Sequence, residues 1–244
     1  MEAGAKDICV IVPTYNNAGT LRDVLQRIIG FIPSVIVIDD GSTDGTAAIL
    51  SDMPVTVLTH GRNRGKGVAL RTGLEYARKR GWRYAISIDS DGQHFPEDLP
   101  LFVEAVRQHP GALIVGSRDL NAENMPGGNS FANRFSNFWF ALQTGRRLPD
   151  TQTGYRAYPL DRLPSLRLLT SRYEAELALL VFSAWKGVEI VPLPVRVYYP
   201  SPEERVSSFR PFRDFLRISL LNTCLCVLAL VYGYPRILID KLLR

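Results

Sequence analysis

"ICVIVPTYNNAGTLRDVLQRIIGFIPSVIVIDDGSTDGT", residues 8 to 46, is the stretch on which the fold turns. A β-branched apolar run ends in Pro, Tyr and Asn, a helical pattern follows, and a second apolar run ends in Asp, Gly and Ser. This is the signature of a βαβ unit, which builds parallel sheet. The alternation continues through "TAAILSDM", "VTVLTH", "KGVALRTGLEYARKR", "YAISID", "EDLPLFVEAVRQH" and "ALIVGS". The predicted fold class is α/β, a mostly parallel central sheet with helices on both faces. The strands read as continuously apolar, as strands covered on both faces do. Gly, Pro, Asn and Asp gather after each strand, so the loops at the carboxyl ends form the ligand-binding edge. From "NRFSNFWFALQTG" to "VEIVPLPVRVYY" amphipathic helices mix with a pair of short strands, an extension of the same domain.

Composition narrows the class. The chain has 244 residues, 46% of them hydrophobic, enough for one sizeable core. Its net charge of +5 admits an anionic partner such as a nucleotide or a lipid phosphate, or simply a basic solvated surface. Nucleic-acid binding has only that charge in its favour and is not expected. Cys9, Cys224 and Cys226 lie in apolar runs without metal-ligand spacing to His60, His94 or His109, and read as reduced core thiols. The opening "MEAGAKDICVIVP" lacks the basic segment, long apolar stretch and cleavage site of a secretory signal, so the chain is expected on the cytoplasmic side.

The stretch "ISIDSDGQHFPEDL", residues 86 to 99, ends an apolar strand with Asp89 and Asp91 two residues apart. In extended backbone both carboxylates face one side, and their repulsion calls for a hard divalent cation, Mg²⁺ or Mn²⁺, with phosphate oxygens completing its shell. Gln93 adds a carbonyl oxygen or a hydrogen bond to the same cluster. The competing reading is an Asp-rich turn capping the helix near Pro96.

Four ordered blocks change the balance: "VPTYNN", "VIDDGSTDGT", "NRGKGVALRTGL" and "DSDGQH", followed by "GSRDL", "GGNSFANRFSN" and "DTQTGYRAY". Over roughly residues 7 to 200 the chain resembles the family 2 glycosyltransferases of the GT-A fold, and within them the dolichyl- and polyprenyl-phosphate sugar synthases. The resemblance implies that Pro13 and Tyr15 line the base of a nucleotide-sugar donor and that Asp40 contacts base or ribose. Asn16 belongs to the same pocket, standing where the lipid-phosphate synthases usually have Glu. Lys66 then meets the nucleotide at a helix start, or is an exposed helix-start cation. Asp89, Asp91 and Gln93 match the metal and diphosphate cluster. Arg118, Arg134 and Arg156 match basic positions around sugar and acceptor, with surface or ion-pairing roles as the alternative.

The implied chemistry is a single displacement with inversion, in which cation, Arg and Lys stabilise the departing diphosphate. A lipid phosphate acceptor needs no general base. A hydroxyl acceptor does, and Asp150 of "DTQTGYR" is the candidate, or else a carboxylate holding its own loop. Glu174 and Glu176 read as helix-start acids.

From Ile218 to Pro235 the sequence is uncharged, preceded by Arg213 and Arg217 and followed by Arg236, Lys241 and Arg244. The run is at the short limit for a membrane span. The expected organisation is a catalytic domain over residues 1–210 and a membrane-associating helical tail over 211–244. Arg205 and Arg210 of "RVSSFRP" lie where the synthases place a basic acceptor-binding loop, although the Gly-x-Ser-Lys pattern is absent. A membrane surface is thus the expected partner, with a homo-oligomer through the tail as the alternative. A dinucleotide oxidoreductase would need G-x-G-x-x-G after the first strand and a P-loop enzyme G-x-x-x-x-G-K-[ST]; neither occurs. A sugar nucleotidyltransferase would open on a Gly- and Arg-rich loop, also missing. Transfer to a hydroxyl acceptor and a non-catalytic nucleotide-sugar- or lipid-binding module are the readings left beside the synthase.

Overall fold

A computed structural model describes residues 7–119, 127–166, 174–199 and 211–242. The strands are β1 (Ile8–Thr14), β2 (Val35–Asp39), β3 (Thr56–Thr59), β4 (Tyr84–Ser87), β5 (Leu113–Ser117), β6 (Arg156–Pro159) and β7 (Ile190–Pro194). The helices are α1 (Ala18–Phe31), α2 (Thr46–Ser51), α3 (Lys66–Lys79), α4 (Leu99–Gln108), α5 (Gly127–Thr144), α6 (Glu174–Trp185), α7 (Pro211–Leu228) and α8 (Tyr234–Leu242). A π-helical turn at Ala229–Gly233 joins the last two.

The seven strands form one sheet in the order β3-β2-β1-β4-β6-β5-β7. Pairings β1–β2, β1–β4, β2–β3 and β5–β7 are parallel; β6 alone runs antiparallel, between β4 and β5. The α/β expectation holds, and β6 is the strand that keeps the sheet from being wholly parallel.

Strand pleat explains the layering. Ile8, Val10 and Val12 of β1 face one side with Val35 and Val37 of β2, against Leu21, Val24, Leu25 and Ile28 of α1 and Phe102 of α4. Those four α1 residues follow the spacing of a single helix face. Cys9 and Ile11 face the other side with Ile36 and Ile38, against Ala69, Leu70 and Leu74 of α3 and the apolar α6. Edge strand β3 departs from the double-covered reading, since Thr56, Val57 and Thr59 are exposed.

The tail helix packs on this second layer. Leu225 and Ala229 join its buried cluster, and the Gln143 side chain of α5 donates to the Asn222 side chain at 3.0 Å. Trp185 Nε1 donates to the Gln143 carbonyl at 2.8 Å, and the Tyr234 hydroxyl donates to the Leu142 carbonyl. The outer face, with Leu220, Val227, Leu230, Val231, Leu238 and Ile239, is exposed. By length and composition Ile218–Ile239, 22 residues of mean hydropathy 1.6, is apolar enough to cross a membrane. Cys9 is a buried thiol as expected, whereas Cys224 is exposed on the tail.

Candidate active site

The carboxyl ends of β2, β1 and β4 lie side by side, and the quoted blocks converge there. Chain order reverses across the β1–β4 boundary, the place where an open α/β sheet leaves a crevice. Around it Asn16, with φ of 53°, ties two loops together: its N–H donates to Ser42 Oγ at 3.0 Å, and its side-chain oxygen accepts from the Thr43 N–H at 2.8 Å. Pro13 is buried at the end of β1 and Tyr15 is half-buried beside it.

Asp40 is 3% exposed, and its carboxylate faces the loop before α3. It accepts from the main-chain N–H groups of Arg64 at 3.0 Å and Gly65 at 2.7 Å. His60 Nδ1 lies 2.6 Å from it. Gly41 allows the same loop to close in, because a β-carbon there would sit 2.5 Å from the Arg62 carbonyl carbon. Asp40 therefore shapes the loop that leads to Lys66.

Asp89 and Asp91 come together by a different route from the pleat. β4 ends at Ser87, and residues 90–92 form a turn closed by Gly92, whose φ is 76°. Asp91 accepts from the Gln93 N–H at 3.0 Å, a bond within its own turn, and no Asp side chain caps the helical turn at Pro96. Burial, then repulsion by the Asp89 carboxylate, pushes the Asp91 carboxyl up to about 6. For Asp89 burial is the largest single influence and works in the same direction, but the Lys66 ammonium together with its other positive neighbours, Arg118 among them, outweighs it and holds the carboxyl below the usual range.

Lys66, first residue of α3, lies 2.8 Å from Asp89 Oδ1 and 3.2 Å from Glu176 Oε2. Gly154 of the loop before β6 packs directly on this pair. Behind it His94 is buried with Nδ1 lacking a hydrogen-bond partner, and burial pushes its imidazole down to about 4, so it is neutral at pH 7.

Arg118, following β5, forms a two-pronged pair with Asp150, Nε to Oδ2 at 2.6 Å and Nη2 to Oδ1 at 3.1 Å. Asp150 is 1% exposed and accepts further from Asn133 Nδ2 at 2.7 Å and the Gln152 N–H at 2.9 Å. Burial alone would raise its carboxyl; Arg118, followed by the other donors, more than offsets this and holds it low. With both oxygens engaged and its basicity reduced, Asp150 is a clamp that aims Arg118, not a free general base. Arg134 is exposed on α5.

Arg156 requires a correction. Its side chain is fully buried and donates to the carbonyls of Thr153, Glu176 and Thr151 at 2.8, 2.7 and 2.8 Å. It knits the loop before β6 to the start of α6, and a guanidinium so enclosed cannot touch an acceptor. Arg205 and Arg210 lie outside the described residues.

Among the described residues no three His, Cys, Asp or Glu side chains converge as a metal site. The oxygen donors at the turn are the Asp89 and Asp91 carboxylates, with Gln93 following them in the chain. Two carboxylates that repel each other suit a hard divalent cation, which takes oxygen ligands from carboxylates and phosphates alike. Glu176 was missed by sequence reading because it looks like an ordinary helix-start acid; only the packing of α6 brings it to Lys66. Gly154 and His94 were within the quoted motifs, but the motifs gave no sign of their roles.

Residues 9–158 match the family model described as Glycosyl transferase family 2. The UDP-N-acetylglucosamine--dolichyl-phosphate N-acetylglucosaminyltransferase of Methanococcus voltae is 28% identical over 242 residues, covering 89% of this chain and 96% of its own. The undecaprenyl-phosphate mannosyltransferase of Micrococcus luteus is 31% identical over 201 residues, covering 77% and 82%. Among solved structures, glucosyl-3-phosphoglycerate synthase from Mycobacterium tuberculosis, in complex with Mn²⁺, UDP and glucosyl-3-phosphoglycerate, superimposes with a TM-score of 0.63. It is 21% identical and covers 91% of this chain and 79% of its own. This likeness establishes a shared GT-A fold.

Proposed function

The chain belongs to glycosyl transferase family 2, and from that premise we propose that it transfers a sugar from a UDP- or GDP-sugar onto a polyprenyl or dolichyl phosphate, with inversion, at the cytoplasmic face of a membrane. The observation that carries the proposal is the cluster at the end of β4: the Asp89–Asp91 turn, Lys66 at the start of α3, and Arg118 held by Asp150. Two carboxylates able to hold a cation stand beside two fixed cations, a charge pattern complementary to a metal-bound diphosphate. The two relatives named above are a dolichyl-phosphate and an undecaprenyl-phosphate transferase, which supports a lipid phosphate as acceptor.

Each side chain then has a part. Asp89 and Asp91, assisted by Gln93, would hold Mg²⁺ or Mn²⁺. When bound, the cation neutralises charge on the leaving diphosphate. Lys66 and Arg118 stabilise the same developing charge from fixed positions, so little reorganisation is needed as the bond breaks. Pro13, Tyr15 and Asn16 line the base, and Asp40 fixes the loop that delivers Lys66. The acceptor phosphate is already ionised at neutral pH and attacks the anomeric carbon directly, so it needs no general base, and the engagement of both Asp150 oxygens by Arg118 and Asn133 is compatible with that. The neutral, buried His94 adds no charge to this balance.

On the acceptor side, exposed Arg134 lies on the helix that also exposes Phe138 and Leu142. Arg205 and Arg210, which lie outside the described residues, are proposed to bind the acceptor as well. The segment before them already reaches the acidic turn, since the Tyr198 N–H donates to the Gln93 carbonyl at 2.8 Å. Residues 1–210 would serve as the catalytic unit and 211–244 as the membrane-associating tail, whose exposed apolar face would be costly to leave in water.

The test is release of nucleoside diphosphate across a panel of UDP- and GDP-sugars, with and without polyprenyl phosphate in vesicles, and with excess chelator. Release that requires one donor, the lipid phosphate and a divalent cation is expected. Full release in chelator would contradict the cation assignment, and full release without the lipid would contradict the acceptor.

A further inference from the structure

Lys66 faces two anions, of which one lies outside the acidic turn. Its Nζ is 2.8 and 3.0 Å from the two Asp89 oxygens and 3.2 Å from Glu176 Oε2. Glu176 is only 5% exposed and stands in the first turn of α6. The chain is closed around this triad at Gly154, where a β-carbon would lie 2.7 Å from Lys66 Nζ and 2.8 Å from Asp89 Oδ2. The Arg156 guanidinium holds the adjoining backbone by bonding to the Glu176 carbonyl at 2.7 Å.

An ammonium lying across both Asp89 oxygens occupies the place a divalent cation needs, because that ion must approach carboxylate oxygens to about 2.0–2.1 Å. The two positive charges cannot share Asp89 closely. A lysine whose ammonium stays on Asp89 opposes the metal there, whereas Glu176 offers that ammonium an anion away from the acidic turn. Glu176 removes that conflict. We propose that Glu176 is the holding partner of Lys66: it keeps the ammonium in the site while Asp89 passes to the donor's cation, leaving Lys66 placed for the donor's diphosphate. Glu176 is on this account a positioning residue, acting through Lys66. The inference rests on the reading of Asp89 and Asp91 as cation ligands.

The experiment is Mn²⁺ titration of the full chain, followed by the paramagnetic resonance of free Mn²⁺, alone and with UDP present. Thermal melting of each variant reports its folding. Glu176→Gln is expected to weaken Mn²⁺ binding about tenfold, the scale of a lost supporting contact behind a metal ligand. Glu176→Asp keeps the charge but shortens the reach to Lys66, and should weaken binding to a similar degree. The double variant K66M/E176Q has no ammonium left to compete and should recover at least the wild-type affinity. Wild-type affinity in Glu176→Asp, in both conditions, would mean that only the charge matters and would overturn the proposal. So would a double variant that stays weak. A wild-type chain that binds Mn²⁺ in neither condition would instead overturn the cation site itself, and the role of Glu176 with it.

Discussion

Replacing Asp91 with alanine is expected to lower nucleoside diphosphate release by about 10³-fold, the scale on which loss of one preorganised charge-stabilising group acts, or beyond it. In the structure the Asp91 carboxylate accepts main-chain hydrogen bonding within its own turn and is repelled by Asp89. Its removal thus costs the fold about 1 kcal/mol at most. The expected signature is a protein that melts within a few degrees of wild type and has lost turnover. Activity within tenfold of wild type would remove Asp91 from the chemistry. Melting far below wild type would show that the turn is chiefly structural.

Arg156→Met should do the reverse. The substitution leaves the carbonyls of Thr151, Thr153 and Glu176 without their donors in a place where water does not enter. At roughly 1–3 kcal/mol for each buried group left unsatisfied, a loss of about 3 kcal/mol or more is expected. For a chain of this size that is a fall of roughly 10 °C in Tm. Because Arg156 secures the loop carrying Gly154 and the α6 residue Glu176, activity should fall along with stability. An acceptor contact would behave differently: melting would be unchanged and only the dependence on acceptor concentration would shift. Scanning calorimetry decides between the two.

The two residues show how far the sequence could be read. Strand and helix patterns are local, so β1, α1, β2 and the helices through α4 are legible from periodicity, and so is the placing of the loops after β1, β2 and β3 at the carboxyl edge of the sheet. Asp89 and Asp91 were legible as a pair, but the backbone joining them is a turn after Ser87 and not a continuing strand. That detail depends on Gly92 adopting a positive φ, and "SDG" allows either reading. The antiparallel insertion of β6 between β4 and β5 was not legible, because "RAYP" is too short to carry a pattern.

Side-chain partners remote in sequence were least accessible. Arg156, Asp150 and Glu176 all carry charges that read as functional or as solvated. What separates them is burial and the identity of the groups they meet. Asp150 meets Arg118 across two loops, Arg156 meets three carbonyls, and Glu176 meets Lys66. The family resemblance supplies positions and not these contacts, and by position alone Arg156 matches the acceptor surroundings.

The most direct test of the central claim is the structure of the product. The full chain is incubated with Mg²⁺, the nucleotide-sugar selected from the panel, and polyprenyl phosphate in vesicles, and the lipid fraction is analysed by mass spectrometry and by NMR of the anomeric centre. The account predicts a polyprenyl phosphosugar of inverted anomeric configuration, formed one for one with nucleoside diphosphate. Retained configuration, or a sugar attached to a hydroxyl group instead of the lipid phosphate, would contradict it.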